Sequence, residues 1–230
     1  TGPHLDPIAD ARRKAGGKVR IINPADAPAT IAGVASLAGP HNAENAAAAA
    51  TCLAALGLAE NEIAEGMAGF AGLPHRLQTV ASHGCISFVN DSKATNGVAA
   101  AKALAAFDNV YWIAGGEAKE DGLGEAAGET AKVAHAYLIG SAAQAFAAEL
   151  DGIVETSLSG DLETATTSAF ADASAASGTD GRDATILLSP AAASFDQFAS
   201  FVARGDAFTA IARRIAADAG AAAVKGGAHA

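Results

Sequence analysis

Ile86-Ser87-Phe88-Val89 runs directly into Asn90-Asp91-Ser92-Lys93-Ala94-Thr95-Asn96, and a helical stretch over residues 97–106 follows. An apolar run of strand length, a polar turn and a helix make half of a βαβ unit. The same phrase recurs along the chain. Apolar runs at 110–114, 136–139 and 185–188 are each followed by helical pattern, with helices predicted at 124–134, 141–150, 162–175, 195–202 and 207–217. A weaker strand is expected near 153–156. This alternation predicts an α/β fold with a Rossmann-like, doubly wound, mostly parallel sheet.

Upstream the pattern is different. Only two short strand candidates, 19–22 and 31–37, precede the helices expected at 39–56 and 60–70, too few for a self-sufficient sheet. Gly72-Leu73-Pro74 marks the boundary, because glycine and proline together end a helix and cannot continue it. The expected organisation is an incomplete piece of an α/β domain at 1–74, a complete domain at 75–222 and a frayed tail at 223–230. The first residues lack methionine and do not have the order of a secretory signal, so the chain is expected to be a fragment of something longer.

The composition narrows the function. The 230 residues are 50% apolar, largely through alanine, which favours closely packed helices and excludes intrinsic disorder. A net charge of −10 is the wrong sign for holding a polyphosphate backbone, so nucleic acid is not an expected partner. Two cysteines, Cys52 and Cys85, form neither a disulfide framework nor a zinc motif. A cytoplasmic location, no membrane span and no metal site are the expectations.

In an open parallel sheet, ligands bind beyond the carboxyl ends of the strands, so the polar residues that follow each strand are the candidates. These are Asn90 to Asn96, then Gly115-Gly116-Glu117-Ala118-Lys119, then Ser189-Pro190-Ala191-Ala192-Ala193-Ser194. Lysines and hydroxyls beside helix N-termini suit a carboxylate or phosphate ligand. Asp91 is the exception, a carboxylate suited to ligand hydroxyls such as a ribose diol. Each residue also has a plainer reading: Ser189, Ser194, Asn42 and Asn45 as helix caps, Lys119 and the His75-Arg76 pair as surface charges. Gly122-Leu123-Gly124 leads toward a dinucleotide-like glycine pattern, but its last glycine, Gly128, is off register and no strand directly precedes it.

Taken in order, five motifs carry a resemblance. Gly39-Pro40-His41-Asn42 with Asn45, Phe70-Ala71-Gly72-Leu73-Pro74-His75-Arg76, Asn90 to Asn96, Gly115-Gly116 with Lys119, and Ser189 to Phe198 resemble the Mur ligases, in their D-glutamate-adding branch. The likeness runs from about 39 to 208 and includes Arg204-Gly205-Asp206; residues 1–37 match only loosely. It implies the end of a central ATPase domain followed by a Rossmann-like amino-acid-binding domain. It also implies an ATP-driven amide bond: an acyl phosphate forms on UDP-N-acetylmuramoyl-L-alanine, D-glutamate attacks it, and magnesium offsets the charge.

By the same resemblance Asn42 and Asn45 face the adenine, His75 and Arg76 the phosphates, and Asp91 the ribose. Thr95 and Lys119 hold one carboxylate of D-glutamate, Ser194 with Phe195 and Phe201 lies at the other, and Lys93 stands between nucleotide and amino acid. The catalytic candidates are Lys93 and Lys119. Ala192 stands where many relatives have cysteine. The family's phosphate loop is not found in this sequence, so the chain alone is expected not to turn over. The protein is expected to be a monomer that acts on small molecules in peptidoglycan synthesis. A nicotinamide-dependent oxidoreductase and a non-catalytic nucleotide-binding module are the alternatives, since fold alone does not fix activity.

Overall fold

The computed structural model describes residues 5–34, 37 and 40–226, and these fall into two compact units, Thr1–Gly72 and Leu73–Ala230. In the first unit, α1 (Asp6–Lys14) has no buried residue. α2 (Pro40–Ala55) and α3 (Glu60–Ala68) carry a small core in which Ala46, Ile63 and Met67 pack with Ala27, Ile31, Ala50 and Leu53. The strand expected at 19–22 does not form, and Ile31 belongs to a 3₁₀ turn, Ala29–Gly33. Prolines explain part of this. Pro24 opens another 3₁₀ turn, Pro24–Asp26, whose Asp26 carboxylate accepts the Asn23 amide at 2.8 Å. That closes the chain locally, where a strand would need a partner. The expected strand's residues 35 and 36, and Gly39 of the quoted motif, lie outside the described residues.

The second unit is the sheet. Its strands are β1 (Gln78–His83), β2 (Ile86–Asn90), β3 (Val110–Gly115), β4 (Val133–Ile139), β5 (Thr156–Gly160) and β6 (Ala184–Leu188), in the spatial order β1-β2-β6-β3-β4-β5. All neighbours are parallel except β1 with β2. The sequence pattern does not announce that hairpin. Gly84, at φ +56°, opens its two-residue turn, a backbone angle at no steric cost only for glycine.

Alternation along the central strands divides the core in two. Val110, Trp112 and Ala114 of β3 face one side, with α4 (Gly97–Ala105) and α5 (Ala143–Glu149); Tyr111 and Ile113 face the other, with α6 (Leu162–Asp180) and α7 (Phe201–Gly226). Both faces are covered, as a parallel sheet requires.

Several boundaries differ from expectation. Residues 124–134 hold a 3₁₀ segment, Gly124–Glu129, and then the start of β4, because glycines at 124 and 128 weaken an α-helix. β5 begins at Thr156, where the expected strand ends, and the segment 195–200 is irregular. The two helices expected after β6 are one, α7, which continues beyond Gly220 to Gly226.

Trp112 is fully buried and its indole Nε1–H donates to the Ser189 carbonyl at 2.8 Å, so a core residue also holds the start of a site loop. Trp112→Phe keeps the apolar face but removes that donor. The expected loss is about 2–4 kcal/mol of unfolding free energy, from the unpaired carbonyl and the lost volume. Urea unfolding followed by far-ultraviolet circular dichroism checks it, since Trp112 is the sole tryptophan. A loss below about 0.5 kcal/mol would show that this bond does not anchor the loop.

Candidate functional site

β2, β6 and β3 are parallel neighbours, so the loops that leave them emerge at the same edge. One side chain joins all three. Arg204, on the first turns of α7, is 1% exposed and spreads its guanidinium over the loop backbones. Nε donates to Ser92 Oγ (3.0 Å), and the two terminal nitrogens donate to the carbonyls of Ser92 (3.0 Å), Ala192 (3.0 Å), Ala193 (3.1 Å) and Gly115 (3.4 Å). Ser92 Oγ passes the connection back to α7 by donating to the Phe201 carbonyl at 2.8 Å. A planar five-donor fork is the side chain that can saturate several fixed carbonyls at once; an ammonium cannot. Burial pushes the guanidinium down to about 10, eased by the charge of Asp196, so it stays protonated at neutral pH.

Backbone pairs reinforce the junction. Glu117 and Ala193 exchange two bonds at 2.9 Å, and the Asp91 amide donates to the Leu188 carbonyl at 2.8 Å. Gly116 sits at φ +130°, and a Cβ there would strike the Ala193 carbonyl. The Gly115-Gly116 pair is therefore required by close approach of three backbones, whatever its role toward a ligand. Asp196 extends the junction by accepting the Ser141 amide at 2.9 Å.

The site residues expected from sequence fall into distinct environments. Lys93 is exposed, with Nζ 4.2 Å from the centre of the Phe201 ring, a cation–π arrangement, and its amide donates to the His75 carbonyl at 3.0 Å. Thr95 is half-buried on the same loop. Lys119 is exposed two residues past the Glu117–Ala193 bridge, and Ser194 is buried immediately after it. Phe195 is 70% exposed, whereas Phe201 is half-buried and meets the His75 ring edge-on at 6.3 Å. Arg76 is exposed and His75 is buried, at φ +61°. Asn42 is half-buried and Asn45 exposed on α2 of the first unit.

Asp91 is the most perturbed carboxylate. It is 5% exposed, with Oδ2 accepting the Ser189 hydroxyl at 2.9 Å and Oδ1 accepting the Leu77 amide at 3.2 Å. Burial pushes its carboxyl up to about 7, against the pull of those two bonds and of Arg76. Asp91 thus fastens β2, β6 and the segment before β1 to one another. Among the described residues no three His, Cys, Asp or Glu side chains gather as a metal site.

Sequence reading places Asn90, Ser92, Asp196 and Arg204 only within candidate loops or motifs and gives none of them a role of its own. A signal exists for the arginine: Arg204 shares the buried stripe of α7 with Phe208, Ala212 and Ile215, and a charge on an apolar stripe needs partners.

A pH dependence follows from Asp91. Its proton is held more tightly in the folded chain than in the unfolded one, so the stability it contributes is full below about pH 4 and is lost as the pH rises toward 7. Wild-type unfolding free energy should fall across that window more steeply than that of Asp91→Asn, by up to about 1.4 kcal/mol per pH unit. Parallel curves for the two chains in urea titrations at pH 4 to 7 would contradict the assignment.

Similarity to known proteins fixes the family. Residues 75–192 match the family model described as Mur ligase, glutamate ligase domain. The chain is 50% identical over 178 residues to UDP-N-acetylmuramoylalanine–D-glutamate ligase of Rhizobium meliloti, covering 77% of this chain and 38% of that protein. It is 48% identical over 189 residues to the ligase of the same name from Caulobacter vibrioides NA1000, covering 82% and 39%. The chain thus spans just under two fifths of the length of these relatives. Among solved structures, folylpolyglutamate synthase of Mycobacterium tuberculosis, complexed with ADP and AMPPCP, superposes with a TM-score of 0.55 at 22% identity, covering 76% of this chain and 41% of that one. MurF of Acinetobacter baumannii gives 0.52 at 18%, covering 75% and 38%. These distant likenesses concern the fold, which they share as a mostly parallel α/β domain. On the family match and the close relatives together, the chain belongs to the Mur ligase family, and its second unit carries that family's glutamate ligase domain.

Proposed function

We propose that this chain is the amino-acid-binding part of an ATP-dependent ligase that joins D-glutamate to UDP-N-acetylmuramoyl-L-alanine in peptidoglycan synthesis. The observation that carries the reading is the junction under Arg204, which gathers the loops of Lys93 and Thr95, of Lys119 and of Ser194 at one sheet edge. Close relatives bearing the D-glutamate ligase name support the substrate. The ADP and AMPPCP complexes of the Mycobacterium tuberculosis synthase support a nucleotide.

In this reading the amino acid's two carboxylates meet two different surroundings. Thr95 and Lys119 supply a hydroxyl and an ammonium to one. Ser194 and the apolar Phe195 and Phe201 surround the other. Lys93 lies between amino acid and nucleotide, its ammonium held over Phe201 and so aimed before any ligand arrives. Arg76 and His75 contact the phosphates, and Asp91 faces the ribose through the small part of it left exposed. The assignment of Asn42 and Asn45 to the adenine rests on the resemblance alone.

The chemistry is a phosphoryl transfer to the substrate carboxylate followed by attack of the D-glutamate amine. These residues orient the amine and neutralise charge, and positioning of this kind can lower a barrier by several kcal/mol. Magnesium accompanies the nucleotide in this proposal. On the family resemblance its ligands are assigned to the portion of the relatives' length that this chain does not span. A cytoplasmic monomer completes the reading, and free Cys52 and Cys85 suit a reducing compartment. Among the described residues, no helix is long and apolar enough to cross a membrane.

In the parent ligase, Lys119→Ala and Ser194→Ala should each raise the KM for D-glutamate about tenfold or more, the equivalent of 1.4 kcal/mol, and leave the KM for ATP within about twofold. Phosphate release with UDP-N-acetylmuramoyl-L-alanine, D-glutamate and ATP measures both. Unchanged D-glutamate kinetics in both variants would remove these residues from the site.

A further inference from the structure

Asn90 ends β2 and is completely buried, and its side chain reaches His75, Ser92 and α7. Its amide orientation is fixed by chemistry at both ends. Oδ1 accepts the Ser92 backbone N–H at 3.1 Å, a group that can only donate. Nδ2 lies 2.8 Å from the Gly205 carbonyl, a group that can only accept. Flipping the amide would break both bonds.

Nδ2 also lies 3.0 Å from Thr209 Oγ1 and 3.1 Å from His75 Nδ1. An amide nitrogen carries two hydrogens and does not accept. Its two hydrogens are shared among the Gly205 carbonyl, Thr209 Oγ1 and His75 Nδ1, and Thr209 Oγ1 itself donates to the Gly205 carbonyl at 2.9 Å. A proton on His75 Nδ1 would therefore face a group with no lone pair to offer, in a place where the ring is 7% exposed. Only the tautomer with a lone pair on Nδ1 and the proton on Nε2 fits.

Two further contacts hold the ring in that pose. Phe201 meets it edge-on, and Gly205 leaves the space the imidazole occupies, since a Cβ there would strike Nδ1. On the far side of the ring, Nε2 is 3.7 Å from Asp206 Oδ1, beyond hydrogen-bond distance, and that aspartate side chain is 70% exposed.

We infer that Asn90 is a positioning residue: it fixes His75 as the Nε2–H tautomer, so that the ring presents a hydrogen-bond donor outward to the nucleotide phosphates. The phosphate end of this inference rests on the reading under the proposed function; the tautomer does not. Asn90 acts through His75 and touches no ligand itself. The same side chain ties β2 to α7 through Gly205 and Thr209, which places the donor relative to the loops that Arg204 joins.

The test is two-bond proton–nitrogen correlation spectroscopy of the uniformly ¹⁵N-labelled chain at neutral pH, with His75→Gln identifying the His75 signals among six histidines. The expected wild-type pattern is an unprotonated Nδ1 and a protonated Nε2. Thr209→Val removes the competing acceptor and should leave that pattern unchanged. Asn90→Asp offers Nδ1 an acceptor and should move a proton onto it. A wild-type His75 protonated at Nδ1 would overturn the inference, as would an Asn90→Asp chain that folds and keeps the wild-type pattern. If Asn90→Asp does not fold, the wild-type and Thr209→Val spectra decide alone. Titration with ADP addresses the phosphate reading separately: a shifted Nε2 signal supports it, and an unmoved one withdraws His75 from the nucleotide while the tautomer stands.

Discussion

A single buried cation organises the functional edge of this protein. Arg204 has no carboxylate within salt-bridge distance among the described residues; its partners are backbone carbonyls and one serine. Leaving any of those carbonyls unpaired in a buried place costs about 1–3 kcal/mol, so the loops and the arginine are mutually dependent. The arrangement is asymmetric. α7 supplies the cation once, and three strands each contribute a carbonyl-bearing loop that is also tied to its neighbour by the Glu117–Ala193 pair and the Ser189–Asp91 bond.

From that constraint the neighbouring features follow. Gly116 must lack a side chain because the β3 loop is drawn against Ala193. Asp91 is pulled out of water as β2 and β6 are drawn together, which is why its carboxyl holds a proton so much more tightly than an exposed one. Trp112 reaches from the core to the Ser189 carbonyl, so the packing of one sheet face is transmitted to the loop that ends in Ser194. The overall charge of −10 does not set the field at this edge, because Arg76, Lys93, Lys119 and Arg204 lie on or under it and electrostatic fields are local.

Much of this is legible in the sequence. Apolar runs of strand length followed by polar turns locate β2, β3, β4 and β6, because a strand buried on both faces has no polar alternation to blur it. Topology alone brings the loops after β2, β3 and β6 to one edge, and there they converge. β1 escapes because an edge strand with Gln78, Thr79 and Ser82 carries little apolar signal. The segment 195–200 reads as helix by composition, but Asp196, Gln197 and the loop carbonyls are engaged elsewhere, with Gln197 Nε2 donating to the Gly160 carbonyl at 2.7 Å. The roles of Arg204 and Asn90 escape for a different reason: their partners include residues 12 to 119 positions away in the chain, and no local pattern reports such contacts. The roles of individual residues toward ligands come from family resemblance, which composition and spacing do not replace.

The central claim is that Arg204 holds the three loops as one unit, and amide hydrogen exchange in Arg204→Met tests it most directly. The amides of Asp91, Glu117 and Ala193, which bond across the junction, and of Lys93, which ties the β2 loop to His75, should lose protection together, by about tenfold or more, while Trp112 and Ile186 in the strands stay protected. Exchange at those four amides indistinguishable from the unmutated chain would contradict the account.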